Sequence, residues 1–169
     1  MKHILRTCIL MMLLACTACG MMSETRQERA EREQREALLV QQFVESADFK
    51  IDITQMIPFR GRPQHVSPFS VSVKDGKINS YLPYFGRAWD LPYGGGHGLN
   101  FQAEYQEYNV IAQPDGSDMI RILVKTDEDT HVYTFTIYDN GKVNLLVQSR
   151  NREPVSYYGE IRFSDDEDN

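Results

Sequence analysis

The pattern of apolar and polar positions along the chain changes its period near residue 48. Between Ala37 and Ala47 the apolar residues recur three and four positions apart, which predicts an amphipathic helix that buries one side. From Phe49 onward, apolar residues such as Phe49, Ile51 and Ile53 alternate with polar ones, as in strands that bury one face. The pattern therefore predicts an N-terminal helix followed by an all-β domain.

The same alternation predicts the register of three hairpins. The predicted turns and their flanking pairs are Asp75-Gly76 between Lys74 and Lys77, residues 127–130 between Thr126 and His131, and residues 139–141 between Ile137 and Val143. The third turn needs Gly141 in the left-handed region, because a two-residue Asn-Gly turn would set apolar residues opposite polar ones.

About eight strands follow one another in this way, most of them joined by short hairpins. The prediction is an antiparallel meander of lipocalin-like size, closed as a small barrel or folded as a sandwich, with a single open sheet as a third option. An eight-stranded barrel has an interior just wide enough for side chains or one small ligand. We assign residues 48–164 to this β domain and residues 17–47 to a charged helical spacer.

The N-terminal segment, residues 1–16, has the layout of a secretory signal. Lys2 and Arg6 form a basic head, and the apolar run that follows is too short to span a bilayer. The small residue before Cys16 and the leucine three places before it resemble the lipobox of bacterial lipoproteins. We therefore predict lipidation at Cys16, with Cys19 as the weaker alternative and ordinary secretion as a further one.

This segment predicts where the protein resides. The three cysteines of the chain all fall within or next to the signal, so the β domain must be stable without disulfides. The residues after Cys16 lack the acidic cluster that is associated with surface export. We expect a protein of the cell envelope, anchored by an acyl chain to the outer membrane and facing the periplasm.

Charge excludes one class of partner. The net charge is −6, and residues 165–169 form an acidic tail that we expect to be solvated. An acidic chain lacks the clustered Lys and Arg that nucleic-acid binding requires, so no nucleic-acid partner is expected. Residues 23–36 carry opposite charges four positions apart, for example Glu28 with Arg32, which favours a solvated helix.

One irregular passage, residues 80–98, contains five aromatic residues, two prolines, five glycines and the single Trp of the chain. Rings held by Pro and Gly form either a ligand mouth or a plug at an open end of the β-fold. The candidate ligand-binding residues are Tyr81, Tyr84, Phe85, Arg87, Trp89, Tyr93 and His97.

Catalytic signatures do not emerge from the sequence. The glycine run at residues 94–98 lacks the third glycine of a dinucleotide fingerprint, and no P-loop or Gly-x-Ser-x-Gly motif occurs. His65, His97 and His131 have no metal-ligand spacing. We expect no enzyme, no cofactor and no metal.

Two groups of charged residues are expected to be solvated. The acidic run at residues 127–129 is typical of an exposed hairpin tip, with His131 at the end of the same hairpin. Arginines near the C-terminus are expected at the rim of the fold, paired with glutamates. These are Arg150, Arg152 and Arg162, with Glu153 and Glu160 as their partners.

Three strings carry a family resemblance: Tyr81–Ala88 (YLPYFGRA), Pro92–Gly94, and Asn151–Ile161 (NREPVSYYGEI). They resemble the Bacteroidetes lipoprotein family of domain of unknown function 4251, over roughly residues 40–163. The resemblance implies an envelope protein of a Gram-negative, gut-type bacterium with no established activity. A lipid-binding role has been suggested for similar proteins, and no functional residues accompany it.

The leading hypothesis is a non-enzymatic lipoprotein that binds a small apolar or amphipathic ligand, such as a lipid, with residues 81–97 gating the pocket. The alternative is a structural or protein-docking lipoprotein with a solid core. An enclosed apolar cavity of roughly 300 Å³ would favour the ligand, and a filled interior would favour docking.

Overall fold

The computed structural model describes residues 25–90 and 96–162, and these contain one helix and eight strands. The elements are α1 (Arg26–Ser46), β1 (Phe49–Pro58), β2 (Gln64–Lys74), β3 (Lys77–Leu82), β4 (Leu99–Ala112), β5 (Asp118–Lys125), β6 (Thr130–Ile137), β7 (Lys142–Ser149) and β8 (Arg152–Ile161). Each strand pairs antiparallel with the next, and β1 pairs with β8, so the sheet closes into a barrel. The predicted all-β meander is confirmed, and the closed barrel is the form it takes.

Closure of the barrel depends on a close approach between β1 and β8. Ile53 lies opposite Gly159, and both neighbours of β1 shift register between Ile53 and Gln55, as at a β-bulge. A Cβ at position 159 would collide with the backbone oxygen of Asp52. Glycine is therefore required where the first and last strands meet.

Two of the three predicted hairpin registers are confirmed. Lys74 pairs with Lys77 around a turn with positive φ at both central residues, and Ile137 pairs with Val143. The register predicted around residues 127–130 is wrong by two positions, since His131 lies opposite Val124.

The second half of α1 covers one end of the barrel. Val40 and Val44 are buried in the core, and the Tyr108 hydroxyl donates a hydrogen bond of 2.7 Å to the Val44 carbonyl. The helix ends at Ser46, and the following residue, Ala47, has a φ of 50° that turns the chain into β1. We call this the helix end, and the opposite one the loop end.

The barrel interior is a packed core. Its largest fully buried side chains include Tyr133, Tyr157 and Phe135. The Tyr133 hydroxyl donates to Ser80 Oγ at 2.9 Å, and Ser80 Oγ donates to the Leu99 carbonyl at 2.7 Å. Because the rings fill the axis and these hydroxyl groups have partners, the interior is built as a core and not as a lumen.

By contacts the chain divides into two compact units, Met1–Arg32 and Glu33–Asn169. In the first, the described residues begin α1 with a capping box, in which Thr25 N–H donates to Glu28 and Glu28 N–H donates to Thr25 Oγ1. The second unit contains every strand. Among the described residues, no helix is both long enough and apolar enough to cross a bilayer.

Candidate functional site

Residues 83–90, which follow β3, lie across the loop end of the barrel, and we call them the cap. Trp89 N–H donates to the Asn151 carbonyl at 3.1 Å, and Glu153 N–H donates to the Arg87 carbonyl at 3.0 Å. The cap is therefore joined to the start of β8 by backbone hydrogen bonds, like a short additional strand.

The Tyr84 side chain connects the cap to the barrel. The Arg152 guanidinium lies 5.7 Å from the centroid of its half-buried ring. Its hydroxyl is 2.8 Å from the Arg87 carbonyl and 3.2 Å from the Glu153 carbonyl. Tyr157 adds a hydrogen bond of 2.6 Å to the Pro83 carbonyl. For Tyr84 the structure therefore agrees with the plug and not with the mouth.

Three of the predicted site residues lie on the outer side of the cap. Phe85 is 61% exposed and Trp89 is 63% exposed. Arg87 is also exposed. Between Arg87 and Trp89 lies Ala88, which is half-buried and forms a β-bridge to Arg152 of β8. Because successive residues of an extended segment alternate in direction, Arg87 and Trp89 share the outward face.

A second loop meets the cap at Glu153. Glu153 accepts a hydrogen bond of 3.1 Å from Arg87 N–H, and its Oε1 lies 3.5 Å from Arg60 Nε in the β1–β2 loop. Phe59 in that loop is 61% exposed, with the Arg60 guanidinium 5.9 Å from its ring centroid. The two loops together form what we call the basic aromatic rim: Phe59, Arg60, Arg62, Phe85, Arg87 and Trp89.

Sequence reasoning missed half of this rim. Phe59, Arg60 and Arg62 are nineteen or more positions from any candidate residue, and the barrel brings their loop to the cap through the contact of Arg60 with Glu153. The available signal was the string at residues 59–63, FRGRP, in which two arginines follow a Phe that breaks the alternation of β1.

The prediction that Arg152 is a rim residue paired with Glu153 or Glu160 is wrong. Its side chain is 4% exposed, with Nε 3.6 Å from Asp129 Oδ2 and Nη2 3.5 Å from Glu128 Oε2. Asp129 is fully buried and accepts a 2.8 Å hydrogen bond from Thr130 N–H. The acidic run is therefore not a wholly solvated tip. Arg162 also differs from the expectation, since it pairs with Asp52.

His97 is hydrogen-bonded to Glu128 through both its side chain and its backbone. The His97 Nδ1 is 2.7 Å from Glu128 Oε1, and His97 N–H donates to both carboxylate oxygens at 3.1 Å. These hydrogen bonds, the side-chain one first, hold the pKa of Glu128 below its usual value. Beside them is an open cleft of about 330 Å³ between the start of β4 and the β5–β6 loop.

His131 is the second residue of β6, next to the hairpin turn as predicted, and it is buried. Its ring stacks on Phe101 with centroids 5.0 Å apart, and its Nδ1 lies 2.8 Å from Ser149 Oγ. Burial is the main cause that lowers the pKa of His131. In residues 25–90 and 96–162, no three His, Cys, Asp or Glu side chains group as metal ligands.

The structure does not unite the predicted site residues in one pocket. Tyr81 is 50% exposed on the outer wall, where its ring packs 5.0 Å from Phe69. Tyr93, Cys16 and Cys19 lie outside the described residues.

Open clefts line the outer surface of the barrel. One of about 610 Å³ lies over β1 and β2, and one of about 640 Å³ lies between α1 and the same strands. Both open to solvent, whereas Tyr133, Tyr157 and Phe135 inside the barrel are fully buried. In the part of the chain that the structure describes, this packing favours the solid barrel over a ligand-filled one.

These features define a class: a small antiparallel β-barrel with a packed interior, a helix over one end and a cap over the other. The chain belongs to the family described as Domain of unknown function (DUF4251), whose model matches residues 30–161. Its fold is similar to the crystal structure of a DUF4251 family protein from Bacteroides eggerthii, with a TM-score of 0.54 and 12% identity, over 75% of this chain and 86% of that one. A search of curated proteins returns no match to the sequence.

Proposed function

We propose that this protein is a non-enzymatic lipoprotein of the cell envelope, anchored to the outer membrane and facing the periplasm, which binds an amphipathic ligand at the surface of its loop end. One observation carries the proposal. The interior is filled by side chains, whereas Phe85 and Trp89 each expose about three fifths of their surface on a cap that is hydrogen-bonded to the barrel.

The filled interior moves the binding surface to the outside of the cap. The predicted gated pocket requires a cavity behind residues 81–97, but Tyr133 and Tyr157 are fully buried in the core of the barrel. On the inner side of the cap, the Tyr84 ring lies against the buried Arg152 guanidinium. An amphipathic ligand would therefore contact the outward side chains of the cap.

The fixed cap lowers the cost of binding. Ordering a loop and its side chains on binding costs free energy that subtracts from affinity. Here the backbone around Arg87 and Trp89 is already bonded to Asn151 and Glu153. Aromatic and arginine side chains held in this way are the usual anchors of binding surfaces.

The anchor is supported by the N-terminal sequence. Residues 1–16 have a basic head, an apolar run and a cysteine in a lipobox context, and the β domain contains no cysteine. Acylation of Cys16 would attach the chain to a membrane without a spanning segment.

Metabolic labelling with an alkyne fatty acid in a Gram-negative host tests the anchor. Full-length chain and Cys19→Ser are expected to incorporate label and to fractionate with membranes, whereas Cys16→Ser loses both. Equal labelling of Cys16→Ser would move the site to Cys19. Absence of label in all three forms would refute the lipoprotein assignment.

Mass spectrometry of organic extracts tests the ligand. The full-length protein is purified from envelopes as wild type, as Phe85→Ser/Trp89→Ser, and as the control Leu38→Ser, which removes an apolar side chain 67% exposed on α1. We expect an amphipathic compound that wild type and control retain and the cap variant loses. A compound that the cap variant also retains would contradict binding at the cap.

A protein partner is the second candidate function, and the helix end favours it. Leu38, Val110 and Ile111 are 67%, 45% and 50% exposed. Leu38 and Val110 line an open cleft of about 580 Å³ between α1 and the β4–β5 hairpin. A photo-crosslinking amino acid at Val110, with one at the exposed Gln148 as control, would give a discrete adduct in cells only if a partner occupies this cleft.

A further inference from the structure

We propose that the basic aromatic rim docks the barrel onto an anionic phospholipid surface. The inference rests on the proposed function, because acylation of Cys16 would attach the protein to a phospholipid membrane. It also names the ligand: the headgroups and upper acyl region of a bilayer, in place of a single enclosed molecule.

The charge of the rim is opposite to that of the chain. The segments 59–63 and 83–90 together contribute Arg60, Arg62 and Arg87 against Asp90, whereas the whole chain has a net charge of −6. Glu153 beneath them is only 11% exposed and is engaged with Arg60. With Asp90 and Glu153 counted, three arginines against two acids leave the rim a net charge of +1, and the exposed Arg62 and Arg87 complement phosphate groups.

The aromatic residues of the rim have the chemistry of a membrane interface. Phe59, Phe85 and Trp89 are each more than 60% exposed to water, which is unfavourable for large apolar rings. Aromatic rings flanked by arginines partition to the headgroup boundary, where the ring is buried and the guanidinium stays with phosphate. The boundary between headgroups and acyl chains can therefore bury the aromatic rings of the rim and pair its guanidinium groups with phosphate.

The shape of the rim favours a broad partner over a small soluble one. None of the six rim residues lines any of the clefts described above. A small ligand is usually held in a concave site that buries most of its surface. Outward side chains on two adjoining loops instead suit an extended surface such as a bilayer.

The single Trp of the chain, Trp89, lies in the rim and reports docking directly. The lipidated full-length protein is reconstituted into vesicles containing brominated phospholipid, which quenches a Trp that reaches the acyl region. With about one third phosphatidylglycerol we expect a blue-shifted emission and about twofold quenching. Both effects should be lost in phosphatidylcholine vesicles and at high salt, because salt screens exposed charges.

Charge variants of the same protein test the role of the arginines. Arg60→Gln/Arg62→Gln/Arg87→Gln is expected to weaken docking by about 10²-fold, given about 1 kcal/mol for each basic residue at an anionic surface. The control Lys77→Gln/Arg121→Gln/Lys142→Gln makes the same charge change at exposed positions outside the rim and should leave docking within about twofold. Arg62→Gln/Arg87→Gln keeps the Arg60–Glu153 pair, so a partial loss there excludes a folding defect.

The outcomes separate this inference from the proposed function. If Trp89 stays unquenched in anionic vesicles while the acyl chain is attached, membrane docking is wrong and the lipoprotein assignment is unaffected. If the rim and control variants lose docking equally, recognition by the rim is wrong. If the acyl chain itself is absent, the labelling experiment has already refuted the anchor.

Discussion

At the scale of single residues, the loop end is unusual because charged groups lie inside it. Arg152 begins β8 with its side chain directed inward, and the carboxylates of Asp129 and Glu128 lie 3.6 and 3.5 Å from it. Burying a charge is costly unless an opposite charge and hydrogen bonds accompany it. Alternation could not predict this pair, because an arginine at the start of a strand is usually solvated and its partner lies in another hairpin.

His131 should make stability depend on pH. Burial lowers its pKa below the ordinary value of 6.5, so below that value the unfolded chain binds a proton that the folded chain does not. The contribution of His131 to the free energy of unfolding is therefore fully present above pH 6.5. It decreases as the pH falls below 6.5, by at most about 1.36 kcal/mol per pH unit for one proton. Urea unfolding between pH 7.5 and 5 measures this slope, above the range in which carboxylates titrate.

A variant pair isolates the contribution of this histidine. His131→Gln should flatten the slope between pH 6.5 and 5, whereas His65→Gln, at an exposed position, should retain it. If both variants retain the wild-type slope, the pH dependence arises from another group and this explanation is wrong.

At the scale of elements, hairpins were predictable where turn chemistry and alternation agreed. Asp75-Gly76 and the loop closed by Gly141 each allow one register that keeps apolar residues together. The β5–β6 loop allows two registers that differ by two positions and leave the same residues inside. Thr126 selects the tighter one: its N–H donates to the Asp129 carbonyl at 2.9 Å, and its Oγ1 accepts from Asp129 N–H at 3.1 Å.

The cap was predictable as an element, but its contacts were not. The aromatic and Gly-Pro composition identified residues 80–98, yet the period of two no longer applies in an irregular segment. Composition therefore could not tell that Tyr84 points inward while Phe85 and Trp89 point outward. The hydrogen-bonding partners of the cap, Asn151 and Glu153, lie at the start of β8, far from the cap along the chain. Only the closed barrel places them beneath the cap.

Tyr84 should control the order of the cap with little effect on the barrel. In Tyr84→Phe the hydroxyl that donates to the Arg87 and Glu153 carbonyls is lost, at a cost of about 1 kcal/mol. Hydrogen exchange of the Arg87 and Trp89 amides should accelerate about five- to tenfold, while the amides of β6 exchange as before. Tyr138→Phe, which removes a hydroxyl that accepts from Asn144, is the matched control and should leave the cap unchanged.

At the scale of the whole molecule, the sequence could not distinguish barrel, sandwich and open sheet. Hairpin registers are local, whereas closure is a pairing between β1 and β8 at opposite ends of the domain. The deciding feature is Gly159, because any side chain there would meet the backbone of β1. In the sequence, this glycine is simply one inward position in an alternating strand.

The filled interior gives the last prediction, which tests whether the barrel or its surface binds ligand. Wild type should gain no thermal stability from benzene, since the described side chains inside the barrel are buried and packed against one another. Leu145→Ala removes a fully buried side chain, should cost about 2–5 kcal/mol, and should leave a dry apolar cavity that benzene fills. Benzene should therefore raise the melting temperature of Leu145→Ala in calorimetry, but not that of Leu146→Ala, whose side chain is only half-buried. Equal stabilisation of wild type by benzene would reveal an internal cavity, and the gated-pocket hypothesis would then displace binding at the cap surface.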